Sequence, residues 1–143
     1  MVKSSVSATY GGLRSNTVTV ASGATSSLVT GLADGAYRAI IVVGDGCADV
    51  STTEFLLHSA GTNGFFALNG QGGLVSSNAS QPTFTQTVRN SVGVSWTGVT
   101  GCADGGNTTA LNYTVTMPSA GTINLTNNGN ISKGYKISLT RLD

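Results

Sequence analysis

Charge is what this sequence has least of. Charged residues make up 9% of the chain, against roughly 25% in an ordinary soluble domain. The formal net charge is +1, and no run of Lys or Arg occurs. Binding to nucleic acid or to an anionic membrane draws on clustered positive charge, so neither partner is expected. Long apolar runs are missing as well. The longest, Ala39-Ile40-Ile41-Val42-Val43, has the length of a strand and falls far short of the ~20 residues a helix needs to span a bilayer. Met1-Val2-Lys3-Ser4-Ser5 brings a lysine with no apolar segment after it, which is not the pattern of a secretory signal. The protein is expected to be made and used without export, unless a signal lies outside this sequence.

The equipment of catalysis is equally thin. His58 is the only histidine and Glu54 the only glutamate. A nucleophile needs an activating base nearby, and a glycosidase needs two carboxyl groups. Here the second would have to come from an Asp in a turn. Two cysteines and one distant histidine do not make a zinc site. No glycine-rich loop precedes a helix. The expectation is a non-enzymatic protein with no cofactor and no resident metal.

In place of charge the chain carries Ser, Thr, Asn and 20 Gly, with 39% hydrophobic residues. Disordered chains pair low hydrophobicity with high net charge, and this one lacks the charge. An uncharged surface of hydroxyls and amides suits packing against copies of itself, because burying a charge costs heavily. The length, 143 residues, fits one domain able to bury a core without staples.

Alternation of period two runs through the sequence. Strands are expected at Asn16–Val20, Ser27–Thr30, Ala36–Val43, Ser51–His58, Gly64–Leu68, Leu74–Ser77, Thr83–Val88, Ser91–Thr97, Leu111–Met117, Thr122–Thr126 and Tyr135–Leu142. Thr, Val and Ile fill them, as a half-buried pleated surface prefers. No segment has a helical period. Asp34-Gly35 reads as a hairpin turn, and Pro118 reads as a strand end. Ala36–Val43 loses its alternation in the second half and is expected to be buried on both faces. The fold class is all-β, an antiparallel β-sandwich or jelly roll of about 8–10 strands. Residues 16–143 form it, and residues 1–15 form an arm or anchor.

One internal echo stands out. Gly46-Cys47-Ala48-Asp49 precedes Ser59-Ala60-Gly61-Thr62, and Gly101-Cys102-Ala103-Asp104 precedes Ser119-Ala120-Gly121-Thr122. A duplicated hairpin would explain it. If both Cys turns lie at one end of a sandwich, a Cys47–Cys102 disulfide is geometrically open; the other reading is two free thiols. Asp45, Asp49, Asp104 and Asn107 would then also approach, although ordinary turn chemistry accounts for them. Trp96, Tyr10, Tyr37, Tyr113 and Tyr135 offer rings for a sugar, against core packing as the plainer role. Five Asn-x-Ser/Thr sequons are present, as expected by coincidence in such a composition.

Gly35-Ala36-Tyr37-Arg38-Ala39-Ile40-Ile41-Val42-Val43, the Ser/Thr/Gly-rich connections and the closing Tyr135-Lys136-Ile137-Ser138-Leu139-Thr140-Arg141-Leu142 resemble tailed-bacteriophage virion surface proteins of the small trimeric jelly-roll, C1q/TNF-like type. The likeness covers residues 30–143 and rests on texture and strand order. It implies a homotrimer with strands packed about a threefold axis, making Tyr37, Ala39, Ile41 and Val43 candidate interface residues. It implies a virion protein assembled in the host cytoplasm. As a capsid decoration or head-fibre protein it would bind the major capsid protein, with Val2, Lys3, Val6, Tyr10, Leu13 and Arg14 as candidate anchor residues. The alternative is the receptor-binding tip of a tail fibre, which would bind a host-surface glycan.

Overall fold

A computed structural model describes residues 13–44, 50–74, 79–96 and 109–143. Among these, ten strands form two five-stranded antiparallel sheets and no helix occurs. Sheet A contains β1 (Leu13–Val20), β10 (Lys133–Arg141), β3 (Gly35–Gly44), β4 (Val50–Ser59) and β5 (Gly64–Gln71), in that order. Sheet B contains β2 (Thr25–Val29), β9 (Thr122–Asn127), β8 (Tyr113–Ser119), β7 (Ser91–Trp96) and β6 (Pro82–Val88). The fold is an antiparallel β-sandwich. Its terminal strands wrap between sheets, with β10 placed between β1 and β3 and β9 beside β2. The middle of the chain runs as two meanders, β3-β4-β5 and β6 to β9.

The alternation produces the sandwich directly. Successive strand side chains face opposite ways. In β7 and β9 every second residue is buried, and in β3 the buried set is Tyr37, Ala39, Ile41 and Val43. These meet Val92, Val94, Val115, Ile123 and Leu125 of the other sheet in one core cluster. Phe55 stands near its middle, with edge-to-face contacts to Phe65 and Phe84.

Side chains close both seams. Beside β1, Arg14 donates to the Thr30 carbonyl at 2.9 Å and Asn16 to the Leu28 carbonyl at 2.8 Å. Beside β5, Gln86 donates to the carbonyls of Phe65 and Arg89. The buried Asn127 amide ties one end together. It donates to the carbonyls of Val20 and Ile131 and accepts from the Gly129 N–H, all within 2.9 Å.

Six expectations change. Tyr37, Ala39, Ile41 and Val43 line the core of a single chain, so they cannot serve as a subunit interface; the opposite face of β3 carries Arg38, Ile40 and Val42. That strand is not doubly buried, because Ile40 is 39% exposed on the outer face. Leu13 and Arg14 pair with Thr140 and Leu139, so they belong to β1 rather than to an arm. Asp34-Gly35 is no hairpin: it leads from sheet B to sheet A, and β2 pairs with β9 instead. Strand β8 runs on through Pro118 because a register shift between Thr116 and Ser119 spares its missing N–H. Leu74 lies in a turn, and the rest of the strand expected there falls outside the described residues.

The internal echo has a structural counterpart. Both Ser-Ala-Gly-Thr segments form hairpin turns, β4–β5 and β8–β9, one in each sheet. The two turns touch, with the Gly121 N–H donating to Ser59 Oγ at 2.8 Å. Gly121 has a φ of +80°, and a Cβ there would lie 2.9 Å from the Leu32 carbonyl oxygen. Only glycine fits that turn. Antiparallel pairing then puts Gly44 of β3, Val50 of β4, Val94 of β7 and Tyr113 of β8 toward the far ends of their strands. Cys47 and Cys102, with Asp45, Asp49, Asp104 and Asn107, fall outside the described residues.

Candidate functional site

The two sheets present outer faces of different chemistry. Register places Thr25, Thr126, Thr114, Gly93 and Thr85 in one row across sheet B. Ser27, Asn124, Thr116 and Ser91 make the next. No charged residue stands on the outer face of this sheet among the described residues. Its polar groups are partly paired with each other. The Thr25 and Thr126 hydroxyls are 2.6 Å apart, Ser27 donates to Asn124 Oδ1 at 2.8 Å, and Asn128 donates to the Thr114 hydroxyl at 2.7 Å.

Sheet A is different. Its outer face carries Arg38, Glu54, His58 and Lys136. Arg38 and Glu54 form an ion pair between adjacent strands. Leu56 and Phe66 stand side by side in the register, and Ile40 and Leu68 are exposed nearby. Phe66 is 66% exposed, the most of any large hydrophobic residue described. Leu68 is the extra residue of a bulge, since Glu54 pairs with Asn69 and Phe55 with Ala67.

A pocket of about 330 Å³ opens at the β4–β5 hairpin, lined by Leu56, His58, Thr62, Phe66 and Arg89 among others. Its walls are held from several directions. Arg89, in the β6–β7 turn, lays its aliphatic stem on Gly64, where a Cβ would overlap it. Its Nε donates to the Asn63 carbonyl at 3.3 Å, and its own carbonyl accepts from the Phe65 N–H at 2.9 Å. His58 Nδ1 lies 2.8 Å from the Thr62 carbonyl, which can only accept, so Nδ1 carries a proton and donates, and Nε2 is left for another partner. Asn63 and Asn90 both donate to the Met117 carbonyl, which anchors the two turns on sheet B. No carboxylate lines the pocket among the described residues.

A third group of polar atoms lies inside the core. Tyr113 shares a hydrogen bond with Thr53, and its ring meets Tyr135 at 5.5 Å and Trp96 at 6.0 Å. Burial pushes the pKa of both Tyr113 and Tyr135 well above the usual tyrosine value. Such hydroxyls are poor proton donors at neutral pH. Trp96 Nε1, Ser51 Oγ and the Tyr135 hydroxyl are buried without a partner among the described residues.

Of the residues singled out by sequence, Trp96, Tyr113 and Tyr135 are therefore core, and Tyr37 joins them with its hydroxyl on the Ala33 carbonyl. His58 is exposed and on the pocket. Val2, Lys3, Val6 and Tyr10 lie outside the described residues. Phe66, Thr62 and Arg89 were not singled out. Phe65-Phe66 held a usable signal, since adjacent residues of a strand face opposite sides and one ring had to point outward. Arg89 gave none, because its approach to Gly64 is a tertiary contact. Comparison with protein-family models, curated proteins and solved structures gives no match.

Proposed function

We propose that the chain is a non-enzymatic structural protein of a phage virion, a capsid decoration or head-fibre protein assembled as a homotrimer. The charge-free outer face of sheet B carries this reading. A sheet face without charge can be desolvated at low cost, and hydroxyls already paired with each other lose little when water leaves. Three copies turn this face to a common axis, one part of each face resting on a different part of the next, a heterologous contact that closes as a ring. Sheet A, with its charges, then faces outward. The trimer fastens to the major capsid protein through the residues that precede β1, an edge strand of sheet A. It is assembled in the host cytoplasm and resides on the virion.

The test is addition of purified protein to mature capsids of the same phage prepared without it. Co-sedimentation in a fixed ratio to the capsid protein, lost on removal of residues 1–12, is the expected result. No affinity for those capsids contradicts the decoration role. A second reading, a receptor-binding tip, is favoured by the pocket beside Phe66, which sheet A would present outward.

A further inference from the structure

Three observations make the pocket at the β4–β5 hairpin more than a surface dent. It is built by two turns from different sheets, braced through Asn63, Asn90 and the Met117 carbonyl. Among the described residues its ionisable lining is Arg89 and His58, in a chain with few charges. Its rim is Phe66, an aromatic ring left two-thirds exposed, which on stability grounds alone serves nothing.

We propose that this pocket binds an acidic sugar, a pyranose whose apolar face lies on Phe66 and whose carboxylate is held by Arg89. The proposal rests on the receptor-binding reading and names its ligand. Arg89 uses Nε on the Asn63 carbonyl and retains the terminal N–H groups of a planar fork that matches a carboxylate. The stem packed on Gly64 holds this fork at the rim, so little side-chain freedom is lost on binding. Phe66 and Leu56 give an apolar surface that a bare inorganic anion would leave unused. The negative face of the ring attracts the polarised C–H groups of a sugar. His58 Nε2 can hydrogen-bond a sugar hydroxyl, which both donates and accepts. The volume stands at the low end of small-molecule sites, about 300–1,000 Å³, and suits one ring rather than an extended peptide.

The experiment is calorimetric titration of the intact protein with methyl glucuronide, methyl glucoside and acetate, alongside a glycan array. Saturable binding of the glucuronide, at least tenfold tighter than either of the others, is expected. Arg89→Gln and Phe66→Ala should each weaken it tenfold or more, Phe66→Ala at unchanged melting temperature and Arg89→Gln with some loss, since its Nε bond to Asn63 goes too. Phe66 is exposed, so its variant decides the matter if Arg89→Gln fails to fold. Equal affinity for glucuronide and glucoside, acetate binding as well as the glucuronide, or affinity unmoved by both substitutions overturns the proposal. Array binding that survives Arg89→Gln overturns the pocket and leaves the receptor-binding reading standing. No glycan binding at all overturns both.

Discussion

Single residues in this protein divide sharply by what they face. Phe55 and Phe66 are both strand phenylalanines of sheet A, yet one is fully buried and the other mostly in water. Phe55→Ala should cost about 3–5 kcal/mol through lost transfer energy and a cavity. Phe66→Ala should stay within about 0.5 kcal/mol. Urea unfolding of the two variants checks the contrast, and equal midpoints would contradict the placement of these rings. Asn127 belongs to the costly class for another reason. Its amide satisfies two carbonyls and one N–H. Asn127→Leu removes all three bonds, leaving the Val20 carbonyl only a long bond from Ser132 at 3.5 Å, and should cost about 2–3 kcal/mol or more, at about 1 kcal/mol or more for each group left unpaired.

At the scale of elements, the strands were legible in the sequence and their sheets were not. Alternation is a local property, so Asn16–Val20 or Thr122–Thr126 could be read from side-chain types alone. Whether a turn closes a hairpin or carries the chain to the other sheet depends on partners far away. Asp34-Gly35 has hairpin chemistry and makes a crossing. Ala36–Val43 differs from its sequence reading for a related reason: its outer residues Ile40 and Val42 are apolar, so the segment resembles a strand covered on both sides, whereas only its inner residues meet the opposite sheet. The pocket was half legible. His58 stood out as the lone histidine, but Arg89 reaches it only through the fold. The contact between the two Ser-Ala-Gly-Thr turns also gives an element-scale prediction. Ser59→Ala removes the acceptor of the Gly121 N–H and should destabilise by about 1–2 kcal/mol. Native-state hydrogen exchange should show the loss concentrated at both turns rather than at the distant sheet ends.

For the whole molecule, the buried tyrosines set the response to alkali. Tyr113 and Tyr135 have pKa values raised by burial above the ordinary value of about 10. A group with a raised folded pKa contributes stability below its unfolded pKa, and that contribution is lost as pH rises beyond it. Stability should therefore fall above about pH 10. Phenolate absorbance from these two residues should appear together with unfolding. A smooth titration of all tyrosines near pH 10 in a folded protein would contradict their burial.

The division of labour between the faces is the central claim, with sheet B turned inward on copies and sheet A turned outward. Sedimentation velocity of the wild type beside a Thr114→Lys/Asn124→Lys double variant tests it most directly. Both positions are on the outer face of sheet B, away from the core, so the variant should fold with little change in stability. The wild type should sediment as a trimer, three times the 14.4 kDa chain, and the variant as a monomer. A monomeric wild type, or a trimer indifferent to six new charges at its axis, would contradict the account.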